Sequence, residues 1–256
     1  MKRHLSLFIG AFLLLRAPRI LAEASPTALA AFNTYAGHVE SGLAQRHHTP
    51  ETFLELNPTQ RARLRSGELL IENLTPASQP SDALIHHWRA TAFVPNATPA
   101  DFERLLRDFS AYPHNFAPEI LSSTVLTSTP THTLLRLRTR QHHVITVVLD
   151  TTCDVAFAAL DPAHGYSISR STRIDEITPS GDQGFLYRLN TYWSYEQRAG
   201  GLYLQLESLS LTRAIPRGLA WAVRPYLESI PRESLLFTLN SARNALRKPP
   251  QLKTAN

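Results

Sequence analysis

Phe185-Leu-Tyr-Arg-Leu-Asn-Thr-Tyr-Trp-Ser-Tyr195, then Gly200-Gly201, then the run from Leu202 to Arg213, is the stretch on which the fold turns. Phe185, Tyr187, Leu189, Thr191, Trp193 and Tyr195 occupy alternate positions and are mostly aromatic or β-branched, the period-2 signature of a half-buried strand. The glycine pair supplies the positive-φ positions of a tight hairpin, with the turn near Ala199-Gly200. On the return strand Leu202, Leu204, Leu206, Ser208, Ser210 and Thr212 share one face. Cross-strand neighbours lie on the same side of a sheet, so this face continues from Trp193 and Tyr195. It grades from apolar to hydroxyl-lined, as a pocket for an amphiphilic ligand requires.

Beyond the hairpin, Ile215-Pro-Arg-Gly218 leads into two helical runs parted at Ser229-Ile-Pro231, with Pro231 suited to a first helical turn. Leu235, Leu239, Ala242 and Leu246 recur at helical spacing, and Leu236 widens the stripe. A long antiparallel sheet followed by a helix with one apolar face predicts a helix laid across the sheet. Earlier in the chain, extended runs are predicted at Glu68–Leu74, Leu84–Val94, Glu119–Thr127, His132–Gln141, Val144–Ala156 and Tyr166–Glu176. Thr98-Pro-Ala-Asp101 opens a capped helix with the stripe Phe102, Leu105, Leu106 and Phe109, ending before Tyr112-Pro113. Many strands at close spacing, with helices only before and after, argue for an α+β fold with a meandering antiparallel sheet.

Lys2-Arg-His4, the apolar run Leu5–Leu15 and Ala22-Glu-Ala24 have the proportions of a signal peptide cleaved before Ser25. An uncleaved anchor is the alternative. The resulting expectation is an exported chain, periplasmic or secreted. The whole sequence has 26 basic and 21 acidic residues, a net charge of +5. The leader holds much of that excess, so the balance gives no argument for nucleic acid. One cysteine, Cys153, excludes an intramolecular disulfide, and its apolar strand context makes it a small buried hydrophobe. The next segment reads as two helices. Thr27–Arg46 carries Leu29, Phe32, Tyr35 or Ala36, Val39 and Leu43 on one face, and Thr49–Leu64 is interrupted near Asn57-Pro58. These helices are expected to cover the outer face of the sheet or an edge strand.

The hairpin, the Ile215-Pro-Arg-Gly218 link and Ile230-Pro-Arg-Glu-Ser234-Leu-Leu-Phe-Thr, preceded by Leu84-Ile-His-His-Trp88 and Thr98-Pro-Ala-Asp101, resemble in their order the bacterial polyketide-cyclase/START-like superfamily, also called SRPBCC. The resemblance is strongest to its exported members and covers roughly residues 67 to 247. It implies a helix-grip fold: a curved antiparallel sheet of about seven to eight strands around a long C-terminal helix, enclosing a hydrophobic cavity. It implies no particular reaction, because members range from lipid carriers to cyclases. The expected organisation is a signal peptide (1–24), an N-terminal helical extension (25–66), a START-like domain (67–248) and a disordered tail (249–256).

No nucleophile elbow, zinc-protease motif, phosphate loop, dinucleotide fingerprint or Cys-x-x-Cys is present. The adjacent pairs His86-His87 and His142-His143 point to opposite faces of their strands and cannot chelate as pairs. Neither a cofactor nor a metal is expected. Glu207 falls on the opposite parity from Leu206 and Ser208, beside Tyr192, Tyr203 and Arg188, and reads as part of an outward ion-pair ladder. Asp150 and Asp154 read as solvated and unpaired. Arg136, Arg138 and Arg140 form a solvated outer row, which could alternatively approach an anionic membrane surface. Candidate ligand-binding residues are His86, Trp88, Tyr187, Thr191, Trp193, Leu206, Ser208, Ser210, Trp221 and Tyr226. The leading reading is a non-catalytic binder of a lipid, isoprenoid or aromatic molecule. The alternatives are a cyclase or dehydratase using Tyr187, His86 or Glu207, and an envelope interaction module with a filled cavity.

Overall fold

A computed structural model describes residues 23–142, 146–177, 185–214 and 220–247, the side chains of His142 and of residues 220–228 excepted. All of the proposed leader but Glu23 and Ala24, and the C-terminal tail, therefore lie outside the described residues. The strands are β1 (Leu70–Asn73), β2 (Ala83–Pro95), β3 (Ile120–Ser128), β4 (His132–His142), β5 (Thr146–Asp161), β6 (His164–Ile177), β7 (Leu186–Arg198) and β8 (Gly201–Arg213). They form one antiparallel, curved sheet in the order β1-β2-β8-β7-β6-β5-β4-β3. The helices are α1 (Pro26–Arg46), α2 (Pro58–Arg65), α3 (Pro99–Arg107), the short α4 (Tyr112–Asn115) and α5 (Ala220–Arg247).

Local chemistry explains where these elements start. Thr98 accepts the Asp101 amide and Asp101 accepts the Thr98 amide, a closed capping box with Pro99 where no donor is needed. Asn57 and Gln60 make the same box for α2, so Asn57-Pro58 begins a helix rather than interrupting one. α3 ends before Tyr112-Pro113 as expected, and after a 3-10 turn at Phe109–Ala111 this dipeptide opens the short α4. The last helix is also longer than expected. α5 runs unbroken through Ser229-Ile-Pro231, its packed stripe of Leu235, Leu239 and Ala242 outweighing the amide that proline lacks.

The hairpin holds two further corrections. Positive φ falls on Ala199 (56°) and Gly200 (77°), while Gly201 already pairs with Arg198 inside the ladder. A Cβ on Gly201 would lie 2.5 Å from both the Phe93 ring and the Val94 carbonyl, so this glycine serves close packing, not the turn. The β7–β8 register also slips between Leu186 and Arg188. One extra residue reverses parity at that point. Tyr187 therefore joins Ala83, Ile85, Leu209 and Leu211 on the outer face, not Thr191 and Trp193 on the inner one.

Over β2, β8 and β7 both faces of the sheet are covered. On the inner face, Ala90, Ala92, Val94, Leu202, Leu204 and Leu206 pack under Leu235, Leu239 and Ala242 of α5 and Phe102, Leu105 and Leu106 of α3. On the outer face α1 is capped by Ser25, whose Oγ accepts from the Ala28 amide at 3.1 Å. It lays Ala28, Phe32, Ala36 and Leu43 over Tyr192, Leu209 and Leu211. Phe53, Leu54 and Leu64 continue this cover over Phe93 and Tyr203.

Three ion pairs tie the cover down: Arg46–Glu207 at 2.8 Å, Arg61–Glu196 at 2.9 Å and Arg170–Glu40 at 2.7 Å. Glu207 has the outward parity expected of it but is only 2% exposed. It also accepts from Arg89 at 2.9 Å and lies 3.0 Å from His87 Nε2. Burial alone would raise its pKa, but the His87 hydrogen bond and the charges of Arg89, His87 and Arg46 hold it near 2. The solvated ladder read from the sequence is therefore a buried network, because the helices of the N-terminal segment make the outer face a second interior. Asp150 is not unpaired either: Arg138 donates to it twice at 2.7 Å. The arginine row itself is exposed, and Leu135 and Leu137 face inward.

Candidate functional site: a cavity under the terminal helix

Over β2 and β8 the terminal helix rests directly on the sheet. Over β4 to β7 it leaves a cavity of about 180 Å³. Period-2 alternation supplies the floor: Leu135, Leu137, Thr139 and Gln141 from β4, Leu149, Thr151, Cys153, Val155 and Phe157 from β5, Ser167 and Ser169 from β6, and Leu189, Thr191 and Trp193 from β7. Leu106, Phe109, Tyr112 and Phe116 close one side, and Ser234, Phe237 and Thr238 of α5 form the roof.

The lining is mostly apolar, and three of its polar side chains are engaged locally. Tyr112 donates to the Leu106 carbonyl at 2.7 Å, Gln141 to Ser234 Oγ at 3.5 Å, and Thr238 to the Ser234 carbonyl at 2.9 Å. Glu119 is different. It lines the cavity at the entry to β3, and its carboxylate meets no donor or cation among the described residues. Burial pushes its pKa up to about 7. Burial also raises the Cys153 thiol to about 11 and the Tyr112 hydroxyl well above its ordinary value, so both stay neutral.

The residues singled out from the sequence fall into four places. Thr191 and Trp193 line the cavity. Ser208 and Ser210 stand on the same face one strand over, opposite Thr191 and Leu189, and Trp88 and His86 follow one strand further. His86 Nε2 shares a hydrogen bond with Thr212 Oγ1 at 3.0 Å. Leu206 is sealed under α5, and Tyr187 lies on the outer face, as Glu207 does. The side chains of Trp221 and Tyr226 lie outside the described residues.

Sequence reasoning missed Glu119 and the wall of Tyr112 and Phe116. Phe109 was legible only as a helical stripe. Among the described residues no group of three His, Cys, Asp or Glu is placed to hold a metal ion.

A curved antiparallel sheet closed by a terminal helix over an apolar cavity is a helix-grip fold. Solved structures similar to the chain include a protein from Thermus thermophilus (16% identity, 62% of this chain and 96% of that one, TM-score 0.49). They also include an aromatase/cyclase from a Streptomyces species (19% identity, 62% and 92%, TM-score 0.48) and a STAR-related lipid transfer protein from Xanthomonas axonopodis (18% identity, 70% and 99%, TM-score 0.44). No protein-family model and no curated protein matches the sequence. The reading of ligand and reaction therefore rests on the cavity itself.

The two sides of β7 give a direct contrast. Trp193→Ala removes cavity wall and is expected to weaken uptake of an aromatic probe several-fold. Tyr192→Ala is expected to leave uptake unchanged while costing about 3–5 kcal/mol of stability, the usual range for a large buried aromatic, because its ring is sealed under α1. Equilibrium dialysis and urea unfolding of both variants check this, and equal binding losses would refute the assignment of faces.

Proposed function

We propose that the chain is an exported, non-catalytic binding protein that holds a small hydrophobic molecule in the cavity between β4–β7 and α5. The apolar space beside Trp193 and Thr191 carries this reading. A dry apolar cavity of about 150 Å³ accepts benzene, whereas drug-sized ligands occupy roughly 300–1,000 Å³. At about 180 Å³ the cavity suits a single aromatic ring or a short branched chain and is too small for a two-chain lipid. Burying roughly 150 Å² of ligand surface at about 25 cal/mol per Å² contributes about 4 kcal/mol, a millimolar affinity. Tighter binding needs a polar contact.

Export rests on the leader pattern, and Ser25, the first residue after the proposed cleavage point, caps α1. A second reading, an acid–base enzyme, is favoured by Glu119, whose pKa near 7 suits proton transfer.

Native mass spectrometry of the protein purified from cells tests the proposal. The expected result is a chain beginning at Ser25 with one small apolar molecule bound at near-unit stoichiometry. Chemical turnover of that molecule by the protein would establish the enzyme instead, and a chain that stays empty when offered ring-sized apolar compounds would refute the binding role.

A further inference from the structure

We infer that the ligand is a small hydrophobic ammonium, its cation paired with Glu119 and its apolar body held among the aromatic rings of the cavity. This rests on the reading of the cavity as a binding site and adds the charge of what it binds.

Two independent features point the same way. The first is a carboxylate lining an apolar cavity without a counter-charge. An ionised carboxylate in such surroundings is stabilised by a cation brought in with the ligand and repelled by an anionic one. The second is the density of aromatic faces. Phe109, Tyr112, Phe116, Phe157, Trp193 and Phe237 all line the cavity. Ring centroids lie 5.3 Å apart for Phe109–Tyr112 and 5.1 Å for Tyr112–Phe116. The Glu119 amide donates to the Phe116 carbonyl at 3.1 Å, so the acid adjoins the end of this chain of rings. Aromatic faces attract desolvated cations and offer nothing comparable to anions.

The charged groups of the surrounding elements, Glu176 apart, are engaged or turned away; Glu176, buried on the inner face of β6 opposite Leu149, is itself an acid, stands outside the lining and supplies no counter-charge. Arg107 of α3 lies 4.0 Å from the Phe157 ring centre and donates to the Pro130 carbonyl, and Asp108 accepts from Ser110. On β4 and β5, Arg136 and Arg140 are exposed and Arg138 pairs with Asp150. Asp154, on β5, has the outward parity of Asp150. Arg170 of β6 is paired with Glu40 under α1, and Arg188 of β7 donates to the Tyr187 carbonyl. His114 of α4 and Arg232 and Glu233 of α5 are exposed. Arg243, also on α5, is part-buried and stands outside the lining. Glu119 is thus the group in the lining that carries charge near neutral pH.

The test compares benzylamine, benzyl alcohol, toluene and benzoate, which share a ring and differ in charge, by calorimetric or NMR titration of the purified chain and of Glu119→Gln. At pH 8 benzylamine is expected to bind at least 10-fold more tightly than benzyl alcohol, with benzoate the weakest. Its affinity is expected to rise from pH 6 to pH 8 as Glu119 ionises, while that of benzyl alcohol stays flat. Glu119→Gln is expected to abolish both the advantage and the pH dependence and to leave benzyl alcohol within about twofold. Benzyl alcohol and benzylamine binding equally well to the natural chain, or an advantage that survives Glu119→Gln, would overturn the inference while leaving the cavity a binding site. Failure of all four probes would overturn both.

Discussion

Glu207→Ala is expected to destabilise the protein by about 3–5 kcal/mol, the usual cost of leaving one side of a buried ion pair without the other. Three groups lose their shortest charged contact at once, Arg46 at 2.8 Å, Arg89 at 2.9 Å and His87 at 3.0 Å, and keep only Glu55 at 3.7 Å, Glu72 at 3.6 Å and the Tyr35 hydroxyl at 3.0 Å respectively. Arg46 and Arg89 have little access to water that would compensate. For a chain of this size the loss corresponds to a fall in melting temperature on the order of 10 °C. Because α1 is held on the sheet through Arg46, the loss is expected to include loosening of that helix. Hydrogen exchange would show it as lost protection over residues 26–46, with α5 unaffected. Probe binding in the cavity is expected to persist, since Glu207 points to the opposite side of β8. A stability change under about 1 kcal/mol would mean that the network behaves as a solvated surface ladder after all.

That network also marks where the sequence ceases to be legible. Parity placed Glu207, Tyr192 and Tyr203 together on the outer side of the hairpin, and the register agrees. Alternation reports only which residues share a side, not what lies over that side. The cover comes from α1 and α2, distant in sequence, and Arg46 and Arg61 pair with acids on strands that no local pattern links to them. The strands were readable because their period-2 runs are long and their turns punctuated. Tyr187 was misplaced by one inserted residue, which reverses parity with no compositional signal.

The cavity was legible in part for a related reason. Thr191 and Trp193 lie on the correct face, yet which part of that face stays open depends on where α5 comes to rest. The small residues Ala90 and Ala92 of β2 let the helix descend there, so the space opens over β4–β7 instead. Glu119 gave no signal at all. It is a single acid at a strand entry, and only the packing of the folded chain half-buries it.

The stability of the natural chain is expected to rise only weakly with pH, and the profile is expected to split into opposite slopes in two variants. His47 is stacked between Phe53 and Tyr166, with ring centres 4.3 and 4.5 Å away, and its Nε2 shares a hydrogen bond with Ser194 Oγ at 2.9 Å. Burial, reinforced by the neighbouring charge of Arg46, lowers its pKa to about 4. Above the unfolded value of about 6.5 neither state binds this proton. As pH falls from there to about 4 the unfolded chain takes it up and the folded chain does not, so stability drops, by up to about 3 kcal/mol.

Glu119 acts in the opposite sense. Its folded pKa is raised to about 7, so its stabilising contribution is complete below about 4.5 and is lost as pH rises towards 7. The two windows overlap, and the slopes oppose. Glu119→Gln should therefore reveal the His47 term as stability that climbs between pH 4 and 6.5. His47→Gln, which can still hydrogen-bond to Ser194 but cannot charge, should leave a shallower decline with rising pH, shallower because Glu119 is only half-buried. Glu207 does not confuse the result, since its depressed pKa places its own loss below about 4.5. Urea unfolding at half-unit steps from pH 4 to 8 measures all three proteins. Parallel profiles would mean that neither residue titrates differently in the folded state, and the burial assigned to both would be wrong.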